Sequence, residues 1–277
     1  MDNPIGIFDS GIGGLTVINH LRKILPHENL VYFGDTGRVP YGTRSDRLIK
    51  QYALEDAAFL QQFEIKLLII ACNTASAVAF DTLKSQLTIP VTGVILPGVK
   101  KAVEITSKKK IGVMGTTATI RSKAYNKGIS EYDDQIETFG CACPLLVPLV
   151  EEGWIEEEVT YLTIRKYLSS IMQNDIDTVI LGCTHYPVIR STIQNVVGPQ
   201  VTLIDSGEET AFVTKQLLDK FGIRRKAVSA GNLRLFVSDI PAKFGDVGSR
   251  FLGYSIGETQ RVDFDAFLQS KKIPISY

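Results

Sequence analysis

The chain alternates short apolar runs with longer stretches whose apolar positions recur at helical spacing, and polar residues gather where each run ends. Residues 5–9 alternate and are rich in β-branched side chains, which predicts a strand. The turn Ser10, Gly11, Ile12, Gly13, Gly14 follows it, and Leu15, Ile18, Leu21 and Leu25 then fall on one helical face. A second strand is predicted over 29–33, ending in Gly34, Asp35 and Thr36 and opening a polar loop that carries Val39, Pro40, Tyr41 and Gly42. Leu48, Ile49, Tyr52, Ala53, Phe59 and Leu60 predict a helix over 46–63. Leu67, Leu68, Ile69 and Ile70 then form a continuous apolar run, the pattern of a strand buried on both faces. It stops at Ala71, Cys72, Asn73 and Thr74, before small residues at helical spacing.

The same pattern restarts in the second half. Ile111, Gly112 and Val113 repeat the opening Ile5, Gly6 and Ile7, and a second buried run from Thr178 ends in Gly182, Cys183, Thr184 and His185. A weak internal duplication accounts for both, with the cysteines at equivalent strand ends of two lobes. Between and beyond these copies the pattern predicts a strand over 91–95, an interruption at Pro97 and Gly98, and a short helix over 99–106. A long helix follows over 151–174 with Glu156, Glu157 and Glu158 in its first turn. A strand over 201–205, a helix through Phe221, a strand over 233–238 and a helix over 242–252 close the chain. The expected fold is α/β: two similar parallel-sheet lobes in a pseudo-two-fold relation with the active site in the crevice between them. In such sheets ligands bind beyond the carboxyl ends of the strands.

Composition narrows the function. Thirty basic residues balance thirty acidic ones, so no global field draws in nucleic acid or an anionic membrane, and Lys108, Lys109 and Lys110 read as solvated surface. No apolar run approaches the length needed to span a bilayer, and since Met1 to Pro4 lead straight into a strand, no secretory leader is expected. Four cysteines, two of them at strand ends beside polar residues, fit reduced thiols and a cytoplasmic location.

One cysteine at a strand end is an ordinary small core residue; two in matched settings point to chemistry. The thiolate is the reactive form, and a helix beginning just after each cysteine would favour it or bind a substrate carboxylate. Asn73, Thr74 and Thr184 add hydrogen-bonding groups. His185, two residues from Cys183, is placed to exchange protons with that thiol, while His20 and His27 read as surface or packing residues. Asp9, at the end of the first strand, fits either a cap for the Ser10 turn or a group acting on Cys72 or a substrate ammonium. Trp154 reads as a packing residue at a domain or subunit contact.

Several alternatives fail on spacing. Cys141 and Cys143 make a CxC with no second ligand pair, a poor zinc site. Cys183 to Arg190 is too long for the phosphate cradle of cysteine phosphatases, and no P-loop is present. A dinucleotide site is the serious rival, since Gly11, Gly13 and Gly14 follow a strand and Asp35 follows the next one, although Thr16 stands where the third glycine belongs. Two facing thiols suit a different reaction, in which one removes a proton from one face of a carbon acid and the other delivers a proton to the opposite face.

The blocks Asp9 to Gly14, Pro40 to Gly42, Ala71 to Ala75 and Gly182 to Pro187 together resemble the signature blocks of the bacterial glutamate racemases, and the resemblance spans essentially the whole chain. It implies a cofactor-independent enzyme that interconverts L- and D-glutamate and supplies D-glutamate for peptidoglycan, built as two facing lobes of which residues 1–96 plus 207–277 form the first and 97–206 the second. Carried over by position, Cys72 and Cys183 are the acid/base thiols, Cys72 serving D-glutamate and Cys183 L-glutamate, with Asp9 and His185 assisting. Ser10, Tyr41, Gly42, Asn73, Thr74 and Thr184 contact the amino acid, along with Asp9 and His185, and Thr116 and Thr119 join this shell. No metal is expected, and a cytoplasmic homodimer is. Two alternatives remain: an aspartate racemase, whose relatives typically carry Glu where His185 stands, and a non-catalytic protein binding an amino acid or dinucleotide.

Overall fold

Runs too apolar to leave a wet face become strands covered on both sides. In the computed structural model, which describes residues 2–240 and 244–271, these strands are β1 (Ile5–Asp9), β2 (Leu30–Gly34), β3 (Leu67–Ile70), β4 (Val91–Gly93), β5 (Lys110–Gly115), β6 (Glu137–Ala142), β7 (Thr178–Gly182), β8 (Thr202–Asp205), β9 (Leu233–Val237) and β10 (Thr259–Arg261). They form two sheets in the orders β10-β9-β2-β1-β3-β4 and β6-β5-β7-β8, and every pairing is parallel. Each sheet reverses its strand order once, between β1 and β3 in the first and between β5 and β7 in the second. The reversal opens a crevice at the strands' carboxyl ends, where ligands bind in open α/β sheets.

The stretch β2-β1-β3-β4 repeats as β6-β5-β7-β8, so the weak sequence repeat is a structural one. Side chains alternate across the first sheet. Ile5, Ile7, Leu67 and Ile69 pack under the helix Leu15–Ile24, while Phe8, Phe33, Leu68 and Ile70 pack under the helix Asp46–Gln61. All four residues of β3 are fully buried, and each such side chain stabilises the fold by about 1.5–3 kcal/mol. The strand that carries Cys72 is thereby fixed at both faces.

Several elements differ from the sequence expectation. The helix over 99–106 begins earlier, as Ile95–Ile105, because Pro97 falls in its first turn, where a missing N–H leaves no bond unmade. The long helix over 151–174 is two helices, Leu146–Glu152 and Glu158–Met172. The first ends at Gly153, whose φ of +85° turns the chain out, and only Glu158 of the acidic trio lies in the first turn of the second. Trp154, in the link between them, is 47% exposed. Of the helix expected over 242–252, Phe244–Leu252 is helical and the start lies outside the described residues.

Candidate active site

Ile5 pairs with Leu67 and Ile111 with Thr178, and each cysteine lies five residues beyond the latter partner. Cys72 and Cys183 therefore occupy the same place in the two sheets. The turns after β1, β3, β5 and β7 converge on one cavity of about 350 Å³, and both cysteines line it.

The two thiols sit in unlike surroundings. Cys72 caps the helix Asn73–Gln86, its sulfur accepting the Ala75 N–H at 3.4 Å while its S–H donates to the Ser10 hydroxyl at 3.4 Å. Burial pushes this thiol up to about 12, the negative charge of Asp9 adds to the rise, and the Ser10 and Ala75 contacts oppose it. After Cys183 no α-helix begins at once, contrary to the sequence expectation. A 3-10 turn, Tyr186–Ile189, intervenes before the helix Arg190–Val197. His185 supplies the local positive group instead, with Nδ1 3.9 Å from the Cys183 sulfur and Nε2 2.9 Å from the Glu151 carboxylate. Burial pulls the imidazole down, but the Cys183 sulfur and Glu151 outweigh it and raise His185 to about 10. His185 is thus protonated through the neutral range.

Hydroxyl and amide groups complete the cavity. Thr74 and Thr116 join across the crevice at 2.8 Å, and Thr119 lies behind them, fully buried, at 3.3 and 3.0 Å. Thr116 also caps the helix Thr117–Ser122, and Gly42 packs on it from the facing loop. Asn73 gives its carbonyl to the Tyr125 hydroxyl at 2.7 Å, which leaves the amide NH2 as the donor at the cavity. Thr184, Ser10 and Gly42 also line the cavity.

Three expected residues stand differently. Asp9 is buried behind the wall, accepting the Gly11 N–H at 2.9 Å and the Thr184 hydroxyl at 3.4 Å, so it reaches the cavity through its charge and not through contact. Burial raises its carboxyl, with the His185 charge opposing. Thr119 likewise lies outside the lining. Tyr41 does line the cavity, but its phenol turns into a buried cluster, between the carboxylates of Asp35 and Asp56, where Arg38 pairs with both and with Glu55. That cluster also disposes of the dinucleotide reading, because Asp35 is fully buried among Arg38, Tyr41 and Ser238 and has no face to offer a ribose.

Glu151 is the residue that sequence reasoning missed. An acid on an amphipathic helix reads as solvated by default, and the only hint was its place one turn beyond the apolar Val147 and Pro148, which also line the cavity. His20, read as a surface or packing residue, bonds Asp205 at 3.0 Å.

Residues 16–212 match the Asp/Glu/Hydantoin racemase family. The chain belongs to that family. Within it, the chain is 49% identical to a glutamate racemase of Geobacter metallireducens, with 95% of this chain and 97% of that one covered. Among solved structures it is similar to a glutamate racemase of Bacillus anthracis at a TM-score of 0.91 and 40% identity, covering 94% of this chain and 97% of that one. It is also similar to the glutamate racemase of Francisella tularensis in complex with D-glutamate, at a TM-score of 0.90 and 39% identity, covering 96% and 100%. An aspartate racemase of Picrophilus torridus, at 20% identity and a TM-score of 0.53, shares the fold alone.

Proposed function

We propose that this member of the racemase family interconverts L- and D-glutamate by a two-thiol mechanism and so supplies D-glutamate for peptidoglycan. The observation that carries the mechanism is the equivalence of Cys72 and Cys183, at one register position in two repeated sheets, on a single cavity sized for a small molecule. Cys183 removes the α-proton of L-glutamate and Cys72 protonates the opposite face; for D-glutamate the roles exchange. A thiol with an ordinary pKa near 8.5 is only a few per cent ionised at neutral pH, so each needs local help. The start of the helix Asn73–Gln86 offers N–H groups to Cys72, and protonated His185, held by Glu151, serves Cys183. Thr74, Thr116, Thr184 and the Asn73 amide hold the substrate's carboxylates and ammonium, and Ser10 and the backbone of Tyr41 and Gly42 close the site. Preorganised donors of this kind also steady the carbanion, the electrostatic term that most enzymes rely on.

The lobes are read as residues 1–96 plus 207–277 and 97–206. Among the described residues no helix is long and apolar enough to cross a membrane. A cytoplasmic homodimer belongs to the same reading, and light scattering on the purified protein tests its assembly.

Racemisation in deuterium oxide tests the mechanism. Product from the first turnovers should carry solvent deuterium, because it is protonated by a thiol that has exchanged with solvent, while substrate recovered early stays protiated. A single-base mechanism returns the abstracted proton to the product. Early product that kept the original proton, or a Cys72→Ala or Cys183→Ala variant that racemised normally, would overturn the two-thiol reading.

A further inference from the structure

Cys141 and Cys143 take no part in the chemistry above, yet their sulfurs lie 3.7 Å apart, with the Cys143 S–H donating to the Cys141 sulfur. Cys141, next to last in the edge strand β6, is partly exposed and donates its S–H to the Tyr167 carbonyl at 3.0 Å; Cys143 is fully buried. The backbone of Cys143 ties three parts of the active site together. Its N–H donates to Gly115 at 2.8 Å, next to Thr116, and its carbonyl accepts the buried Tyr186 hydroxyl at 3.0 Å, next to His185. Pro144, which follows it, lines the cavity.

The geometry points to a redox modification site: Cys141 and Cys143 form an intramolecular disulfide on exposure to a low-molecular-weight disulfide, and its closure slows turnover. Cys141, the less buried of the two, attacks as thiolate on one sulfur of RSSR; the S–S bond of RSSR breaks and one RS⁻ leaves. Cys143 then attacks the Cys141 sulfur of the mixed disulfide, giving its proton to solvent, and the second RS⁻ leaves. Two electrons pass from the cysteine pair to RSSR, which departs as two thiols once the leaving thiolates pick up protons. The hydrogen bond from Cys143 lowers Cys141, which favours the first step. The same bond is the main cause holding Cys143 up, and that cause disappears once the Cys141 sulfur is bonded. Among the described residues, the hydrogen bonds of the Cys72 and Cys183 sulfurs go to Ser10, Ala75 and His185 and not to another sulfur.

A disulfide requires the sulfurs to close from 3.7 Å to about 2.05 Å. Because the strand end is fixed by its ladder, much of that movement falls on Cys143 and reaches Pro144, Tyr186 and Gly115. Displacements of about 1 Å at reacting groups cost on the order of 100-fold in rate, so a loss of roughly tenfold or more is expected.

The test incubates wild-type protein with increasing ratios of oxidised to reduced glutathione, then alkylates and maps it. Both cysteines fall in one tryptic peptide, 128–165, separate from Cys72 and Cys183. The expected result is that this peptide appears unalkylated and two hydrogens lighter as turnover falls, and that dithiothreitol restores both. Cys141→Ser and Cys141→Ala should keep wild-type turnover and resist the oxidant. Alkylation of both cysteines after oxidation, a disulfide with unchanged turnover, or Cys141 variants inactivated as readily as wild type would each overturn the proposal. The peptide readout does not depend on the identity of the substrate, so it separates this inference from the racemase reading.

Discussion

At Gly13 the turn after β1 packs directly against Thr184 and His185, and adding one methyl there is a stringent test of how the site is held. A Cβ at this position would fall 2.1 Å from the Thr184 hydroxyl oxygen and 2.7 and 2.8 Å from Nδ1 and Cε1 of His185. Both side chains are held by partners of their own. Thr184 is held by Asp9 and, through its carbonyl, by the Thr16 hydroxyl at 3.1 Å, and the same hydroxyl binds the Gly13 carbonyl at 2.9 Å. His185 is pinned by Glu151 and by the edge of Phe251, with ring centroids 4.9 Å apart. Contacts of carbon with its neighbours normally sit at about 3.5–4.0 Å, so the two turns must part by roughly 1 Å. Overpacking of that kind costs about 1–3 kcal/mol of stability, and a 1 Å misplacement of catalytic groups costs on the order of 100-fold in rate. Gly13→Ala should therefore fold with a lowered melting temperature and lose about 100-fold in kcat with either glutamate enantiomer, followed by circular dichroism. Gly257→Ala, where a Cβ meets nothing within 4 Å, is the control and should match wild type. A Gly13→Ala enzyme with kcat within about twofold of wild type would refute the claim that this contact sets the catalytic geometry.

Tyr125→Phe leaves the buried Asn73 carbonyl without its 2.7 Å donor, at a cost of about 1–3 kcal/mol. The expected outcome is a lower melting temperature and a KM for glutamate raised by about tenfold, with kcat less affected. His185 also makes stability depend on pH. Its folded value, about 10, lies above the ordinary 6.5, so its interactions contribute in full below about pH 6.5 and are lost as pH rises through 10. The urea midpoint of wild type relative to His185→Asn should accordingly be most favourable near pH 6 and decline toward pH 10. Dialysis against a chelator should leave racemisation unchanged, as the ligand spacing around the cysteines implies; restoration by zinc after a loss would sink the thiol-only mechanism.

The sequence made the strand ends legible because buried parallel strands leave a sharp signal, an apolar run cut off by small polar residues. Cys72 and Cys183 were found that way, and the sheet registers resolve the repeat that sequence only hinted at. β6 escaped notice for the opposite reason. It is a half-exposed edge strand with threonine and glycine in place of an apolar run. The helix break at Gly153 was hidden by an amphipathic pattern that happens to continue in phase on both sides. Tyr41 shows a different limit: its place in the motif was readable, but the direction of its phenol depends on Asp35, Asp56 and Arg38, which meet only in the fold. Glu151 was out of reach for the same reason, since its partner His185 lies far along the chain and on another element.

The contrast between the two thiols follows from what duplication can and cannot supply. On the two-thiol reading, two copies of one strand-turn unit, facing each other, place equivalent sulfurs on opposite faces of a carbon. A protein is chiral, however, and cannot present mirror-image surroundings to mirror-image substrates, so the half-sites diverge: a helix start and the charge of Asp9 around Cys72, an imidazolium and Glu151 around Cys183. Thermodynamics limits what this asymmetry can do. The free enantiomers have equal energy, so kcat/KM must be the same in both directions, and the unlike half-sites show only in how kcat and KM are divided. His185→Asn therefore cannot damage one direction selectively, even though His185 touches Cys183 alone. Losing a general acid-base partner should cost about 100-fold or more in turnover, with kcat/KM falling by the same factor from L- and from D-glutamate. The two kcat values need not fall equally. Polarimetry from each enantiomer reads both quantities, and wild-type turnover in the variant would return His185 to a packing role against Phe251.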